Sequence, residues 1–498
     1  MSLADRFAPV PLGGRTRVGR RMLVGRRMRV VYVTDTRVIG GAERYLATLA
    51  QQVATRGHDV RLLAPQRELV AWLAREAPSA SVERAFTDGY HDVSTPLRRG
   101  AALLALGAGM ARTLRALAPD VVHVNNGGFP GSDLCRAALL AARLVGARRR
   151  VMTVHSNPLS REALSDARIQ AAADWMTWAC AQAVISPSEA VAEGLRIRRR
   201  MPPALGRTIY YGVAPAAYEP GNAARLRERL APHGELLVGM VSARPVAEKG
   251  YGVFIDALAR AGDGVRGVLV GPQPGDLASR TRTAGLGDRL ACEGPRESVG
   301  DYYAAFDVLA VPSTAGECMP LVILEAASVG TPSFGSSLAG IPEAIADGLD
   351  GRLFPPGDAG ELARLLLAAA ADRGQLEAMG RAARERWLAS FQPETMVRST
   401  LSLYVRAGPA DAGAGTLAVP THAVRKRTIA SAPTGSAQDG EQVAAQRAVL
   451  EPIGDAEPAI APLEQRHRAG DQPPGREQRP VAEADDRRIE AAEVAEMD

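Results

Sequence analysis

The sequence predicts an α/β protein made of two doubly wound parallel sheets that face each other across a cleft. Three observations carry this expectation. Short apolar runs rich in β-branched residues alternate with longer helix-like stretches, the pattern of a parallel sheet covered on both faces. The alternation stops near residue 210 and restarts at residue 236. The stretch between, 210–234, is rich in proline, glycine and alanine and reads as an interdomain connection. In such sheets ligands sit beyond the carboxyl ends of the strands.

Taken in order, residues 28–34 (Met-Arg-Val-Val-Tyr-Val-Thr) look like a buried strand. Gly40-Gly41 follows in a loop, 42–56 reads as a helix ending at Gly57, and 59–64 is the next strand. Further apolar runs stand at 121–124, 151–154 and 183–185. In the second half they recur at 236–241, 268–270, 308–311 and 333–334, and 393–406 reads as a closing helix. The expected divisions are a disordered basic arm over 1–27, a first domain over 28–215, a linker over 216–235 and a second domain over 236–392. A helix over 393–408 is expected to cross back to the first domain. The tail 409–498 holds no aromatic residue and is rich in Ala, Pro, Glu, Gln and Arg, a composition that predicts disorder.

The chain has 498 residues, enough for two or three domains, and 46% hydrophobic against 4% aromatic content. Alanine, leucine and valine must therefore do most of the packing. The net charge of +5 is unevenly spread: residues 1–28 hold seven arginines against Asp5, and 411–498 hold 16 acids against 10 bases. These ends cancel, leaving a mildly basic globular region that charge alone does not mark as binding nucleic acid. The four cysteines are scattered, without metal-ligand spacing or a disulfide framework, which fits a reducing cytoplasm. No apolar run approaches the ~18 residues of a transmembrane helix, and the arginine-rich start lacks the apolar core of a secretory signal.

Residues 313–332 are the most informative stretch. Glu317 and Glu325 flank an apolar run that opens at Pro320 and stops at Gly330, which reads as a short buried helix over 320–329. Its N-terminus offers unpaired N–H groups and a positive dipole end to a phosphate. The two carboxylates suit hydroxyl groups instead. Phosphate and hydroxyl binding side by side suggest a sugar nucleotide.

Taken one at a time these features have plain readings as surface acids, solvated loop cations or turns. Together they form an ordered set: Gly40-Gly41-Ala-Glu43, Ser186-Pro-Ser-Glu189, Tyr211-Gly-Val213, Val241-Ser-Ala-Arg-Pro-Val-Ala-Glu-Lys-Gly250, Glu317-x7-Glu325 and Gly340-Ile-Pro-Glu343. In this set the chain resembles the retaining glycosyltransferases of GT-B fold often called family 4, over residues 28–406. The resemblance implies that Glu325 holds the ribose hydroxyls and Glu317 those of the transferred sugar. The N–H groups of Cys318, Met319 and Leu321 would face the sugar and phosphates, while Pro320 has none to offer. The family more often has an aromatic residue and a glycine where Met319 and Pro320 stand. Arg244 and Lys249 would grip the donor diphosphate, Gly40 and Gly41 would approach it from the other domain, and His155 would lie by the donor sugar. Asn125 and Asn126, at a strand end, are expected to shape the acceptor pocket.

No Asp-x-Asp motif occurs, so no metal and no cofactor are expected; the nucleotide-diphosphate sugar is substrate, and a glycan, lipid-linked glycan or small molecule supplies the hydroxyl. Cell-surface polysaccharide or glycolipid synthesis is the expected setting. Two other readings keep the same architecture: a sugar-nucleotide epimerase or hydrolase, and a non-catalytic partner subunit. The clusters Arg148-Arg-Arg150 and Arg196-Ile-Arg-Arg-Arg200 read by default as a solvated face. Their functional reading is reversible contact with anionic lipid at the inner face of the membrane.

Overall fold

The computed structural model describes residues 27–36, 39–85, 96–160 and 167–405. The expected tail 409–498, and all but the last residue of the expected arm 1–27, lie outside these. The chain divides into two compact units, Met1–Lys426 and Arg427–Asp498, and every described residue belongs to the first.

The first lobe runs β1 (Arg29–Thr34), α1 (Gly41–Thr55), β2 (Asp59–Ala64), α2 (Arg67–Glu76), β3 (Ser81–Arg84), α3 (Pro96–Leu117), β4 (Val121–Asn126), α4 (Asp133–Leu144), β5 (Arg149–Val154), α5 (Ala167–Cys180), β6 (Ala183–Ser186), α6 (Glu189–Arg199) and β7 (Gly206–Thr208). Its strands lie parallel in the order β3-β2-β1-β4-β5-β6-β7. Val30, Val31, Tyr32 and Val33 are all buried, as a strand covered on both faces requires.

The second lobe runs α7 (Pro220–Leu230), β8 (Leu236–Val241), α8 (Tyr251–Ala261), β9 (Val265–Val270), α9 (Leu277–Thr283), β10 (Leu290–Cys292), α10 (Gly300–Ala305), β11 (Val308–Val311), α11 (Leu321–Val329), β12 (Ser333–Ser336), α12 (Ile341–Ala344), β13 (Gly351–Phe354), α13 (Ala359–Ala371), α14 (Arg373–Ser390) and α15 (Pro393–Val405). Its parallel order is β10-β9-β8-β11-β12-β13. Both sheets therefore reverse their strand order once, between β1 and β4 and between β8 and β11. Loops that leave the carboxyl ends of these four strands diverge and open a crevice.

The connection differs from the expected linker over 216–235, because α7 occupies much of it. Pro220 starts the helix, Ala223 and Leu230 are buried, and Arg227 pairs with Asp307 at 2.7 Å. Glu219 N–H and Asn222 Nδ2 both donate to Asp301 of α10, at 2.7 and 3.1 Å. The helix thus packs as part of the second lobe. The chain returns to the first lobe through α15, whose buried Tyr404 places its hydroxyl 2.6 Å from His123 Nδ1 on β4 and 3.2 Å from the Tyr32 hydroxyl on β1. The outgoing and returning segments are tied together: Val213 N–H donates to Phe391 O at 2.9 Å, and Trp387 Nε1 donates to Val213 O at 3.2 Å. A Cβ on Gly212 would stand 2.6 Å from Pro393 Cα, so no side chain fits there.

Candidate active site

The loop after β8 is fixed by a glycine. Gly250 has φ +79°, and a Cβ there would lie 1.9 Å from Pro312 O. This close approach, with Thr314 N–H donating to Glu248 O at 2.8 Å, binds the β8 loop to the β11 loop. Lys249 Nζ then stands 2.6 Å from Glu317 Oε1, which also accepts from Ser313 Oγ at 2.7 Å. Glu317 is 5% exposed, and these two donors offset the cost of burying its charge. Arg244 is exposed; Ser242 Oγ accepts from its N–H at 3.3 Å and donates to its carbonyl at 2.9 Å. Among the described residues its guanidinium meets no carboxylate.

Helix α11 begins at Leu321, one residue later than expected, because Pro320 has ψ 120° and serves as the N-cap. Gly330, at φ 88°, ends it. Glu325 Oε2 accepts from the Tyr303 hydroxyl at 2.7 Å. Across the crevice lies the first turn of α1: a Cβ on Gly41 would be 3.4 Å from Leu321 Cδ1. The N-termini of α1 and α11 therefore meet. At α1, Glu43 accepts from the Gly40 N–H at 2.8 Å, and burial pushes its carboxyl above the usual range. Beside the meeting point is a cavity of about 250 Å³ whose lining includes Arg44, Thr48, Tyr211, Tyr303, Leu321 and Glu325. Arg44 was not among the sequence candidates, although it directly follows Glu43. The signal for it was a cation in the first turn, where it opposes the helix dipole.

His155 does not open onto this cavity. It is buried, with Nε2 2.7 Å from Asn125 Oδ1 and Nδ1 2.8 Å from the Tyr211 hydroxyl. An amide oxygen only accepts, so Nε2 carries the proton and Nδ1 accepts from Tyr211. Burial, with the nearby His123, pushes this ring down to about 3, so it is neutral. Its contact with the second lobe is indirect: the Tyr211 hydroxyl lies 3.8 Å from Cys318 Sγ. Burial pushes the Cys318 thiol up to about 11.

Asn125 and Asn126 also differ from expectation. Both are 1% exposed. Asn125 Nδ2 donates towards Thr34 Oγ1 and Ala42 O, each at 3.4 Å, and Asn126 Oδ1 accepts from Ser132 N–H at 3.2 Å. They brace the loops around β4 rather than line an acceptor pocket, because β4 is covered on both faces.

Met319 is likewise buried, and its N–H lies against the Cys318 sulfur. Two further contacts join the lobes at this loop. Asn157 Nδ2 donates to Glu317 O at 2.9 Å. Glu343 accepts from the N–H groups of Glu189 and Ala190, the first turn of α6, at 2.7 and 2.9 Å. Burial pushes the Glu343 carboxyl upward. Gly340 must be glycine, since a Cβ would fall 1.5 Å from Cys318 O. The segments around Ser186, Glu317 and Gly340, far apart in the chain, thus converge on one edge of the crevice. Among the described residues no three His, Cys, Asp or Glu side chains gather as metal ligands, and no helix is long and apolar enough to cross a membrane.

Comparison with known proteins agrees with this geometry. Residues 39–217 match the profile of Glycosyltransferase Family 4, and residues 235–372 match that of Glycosyl transferases group 1. The D-inositol 3-phosphate glycosyltransferase of Kribbella flavida is 30% identical over 218 residues, 41% of this chain and 51% of that protein. The amylovoran biosynthesis glycosyltransferase AmsK of Erwinia amylovora is 35% identical over 156 residues, 28% of this chain and 38% of that protein. The chain thus spans about half the length, or less, of these two curated relatives. Among solved structures, Anabaena Alr3699/HepE in complex with UDP aligns with a TM-score of 0.64 at 23% identity, covering 75% of this chain and 99% of that one. A glycosyltransferase of Rickettsia africae aligns with a TM-score of 0.65 at 18% identity, covering 76% and 98%. At these identities the structural likeness speaks for the fold. With its two halves matched in order and the two-lobed parallel-sheet architecture shared, the chain belongs to the group 1, family 4 glycosyltransferases of GT-B fold.

Proposed function

We propose that the protein transfers a sugar, with retention of anomeric configuration, from a nucleoside-diphosphate donor to a hydroxyl acceptor. One observation carries this reading: Lys249, Glu317 and Ser313 form a single hydrogen-bonded group, with Arg244 on the loop just before Lys249 and the α11 N-terminus following Glu317. Cations and helix dipole suit a diphosphate, and carboxylates suit hydroxyls. Structures of the HepE neighbour with UDP, with UDP and glucose, and with UDP-glucose give support by analogy.

On this reading the ribose meets Glu325 and the base extends into the 250 Å³ cavity. The diphosphate lies between Arg244, Lys249 and the two facing helix N-termini. As the bond to the sugar breaks, negative charge grows on the leaving diphosphate, and preorganised cations and N–H groups stabilise it. The acceptor hydroxyl attacks from the face that the diphosphate leaves, and a departing phosphate oxygen takes its proton. Glu317 orients the sugar through its hydroxyls and forms no covalent bond. The acceptor is a glycan, a lipid-linked glycan or a small molecule, in cell-surface polysaccharide or glycolipid synthesis.

A melting-temperature screen of nucleotide sugars against the full chain tests this, because a ligand bound only by the folded state raises the transition. The donor it identifies should be consumed only when an acceptor is present. Consumption without acceptor would favour the epimerase or hydrolase reading, and binding without any transfer the partner-subunit reading.

A further inference from the structure

Among the described residues the four most exposed large apolar side chains are Trp175 at 73%, Leu144 at 69%, Ile197 at 68% and Ile169 at 65%. All four lie on α4, α5 and α6 of the first lobe. These helices follow β4, β5 and β6, which step in one direction across the sheet, so right-handed crossovers place them on one face. They are also in contact. Arg143 Nη1 of α4 donates to Ala179 O of α5 at 2.7 Å, and Trp178 Nε1 of α5 donates to Arg199 O of α6 at 3.2 Å.

The same helix ends gather arginines. Residues 143–150 hold Arg143, Arg148, Arg149 and Arg150, and residues 193–200 hold Arg196, Arg198, Arg199 and Arg200. Arg199 is buried on Asp174 and Arg196 pairs with Glu193 at 2.6 Å, while Arg143, Arg148, Arg198 and Arg200 are exposed. The crowding has an electrostatic signature. Arg149 is pushed below its ordinary range by burial and by the charges of Arg148 and Arg150, and Arg150 by burial and the charge of Arg143.

Exposed Trp and Ile interleaved with arginine match a surface that meets an apolar phase beneath an anionic layer. A polyanion in water would engage the arginines and leave Trp175 and Ile197 wet. A second copy meeting this face symmetrically would set arginines against arginines. We infer that the α4–α6 face docks on an anionic lipid bilayer, with Trp175, Ile197 and Leu144 entering the head-group layer and the exposed arginines of the two helix ends, Arg143, Arg148, Arg198 and Arg200, meeting lipid phosphates. This is independent of the donor chemistry, and its failure would leave that reading intact.

The probe is the full chain mixed with vesicles of phosphatidylcholine, with and without phosphatidylglycerol, at low and high salt. The expected result is sedimentation with the anionic vesicles at low salt only. Of the chain's four tryptophans, Trp178 and Trp387 are buried and Trp72 is half-buried, so a vesicle-induced blue shift of emission should vanish in Trp175→Phe. Arg196→Ala, Arg198→Ala and Arg200→Ala together should weaken partitioning on the order of 100-fold, at about fivefold per arginine. Melting temperature with and without nucleotide sugar confirms that each variant is folded. Three results would overturn the inference: no partitioning onto anionic vesicles at low salt, equal partitioning of the folded variants, or a dimer by light scattering that Trp175→Ala dissolves.

Discussion

Replacing Glu317 by glutamine should move affinity and turnover in opposite directions. Glu317 Oε1 holds Lys249 Nζ at 2.6 Å and also accepts from Ser313. A phosphate oxygen gripped by the same ammonium would stand about 5 Å from that carboxylate, two hydrogen-bond lengths bent at the nitrogen. Two unit charges at that separation repel by about 3 kcal/mol at an effective dielectric of about 20. Lys249 is 31% exposed, so solvent screens part of this, and about 1–2 kcal/mol remains. Glu317→Gln is isosteric and removes that repulsion. Nucleoside diphosphate should therefore bind roughly 5- to 30-fold more tightly. Turnover should fall instead, because a charged hydrogen bond to the sugar worth about 1.5–3 kcal/mol is weakened, which corresponds to roughly 10- to 150-fold in rate. Calorimetry with UDP, GDP and ADP measures the first quantity, and steady-state kinetics with the donor found by the melting screen measures the second. A folded Glu317→Gln protein that binds diphosphate more weakly than the parent, or that turns over at the parental rate, would refute the reasoning.

Arg244→Ala and Lys249→Ala should each lower turnover on the order of 10²–10³ while leaving circular dichroism unchanged; parental rates in both would remove their role on the leaving group. Gly250→Ala forces a side chain into φ +79° and against Pro312 O, so urea denaturation should show a loss of about 3 kcal/mol or more, and an unchanged midpoint would contradict the described loop. Glu343→Ala removes both carboxylate contacts to the α6 N-terminus, worth about 2 kcal/mol in total, and small-angle scattering of the ligand-free protein should report a larger radius of gyration. His123 and His155 are both held neutral by burial and pushed down to about 3. A depressed histidine value gives stability that is complete above the unfolded value near 6.5 and lost as pH falls below it. From about pH 6.5 towards about pH 5, each histidine should steepen the loss towards about 1.4 kcal/mol per pH unit. Urea midpoints across that window check this, and a flat profile, or an equal slope in His123→Asn, would count against it.

The central strands were readable because each is an uninterrupted apolar run buried on both faces, as in residues 30–33 and 236–240. The edge strands were not. Ser81–Arg84, Gly206–Thr208 and Leu290–Cys292 are three or four residues long and half solvated, so they carry too little apolar signal. Helix α7 was hidden by Pro220-Gly221, which reads equally well as linker and as the opening of a helix. The grouping of Lys249 with Glu317 was legible because loop motifs keep their local spacing. The burial of Asn125 and Asn126 was not, since a strand end looks alike whether its tip is capped or open. Contacts between distant segments were invisible too: Glu343 reaches the α6 amides across 154 residues, and Arg44 joins Glu325 in the cavity only through the meeting of two helices.

The polypeptide passes between the lobes twice, and its two passages are stitched side by side by Val213, Phe391 and Trp387, with Gly212 wedged against Pro393. A single strap would let the halves twist as well as bend. Paired straps, joined to each other, leave the halves fewer ways to twist than one strap would. Arg244, Lys249, Glu317 and Glu325 all stand on the same side of these straps, so a donor bound as proposed would stay with one half of the molecule.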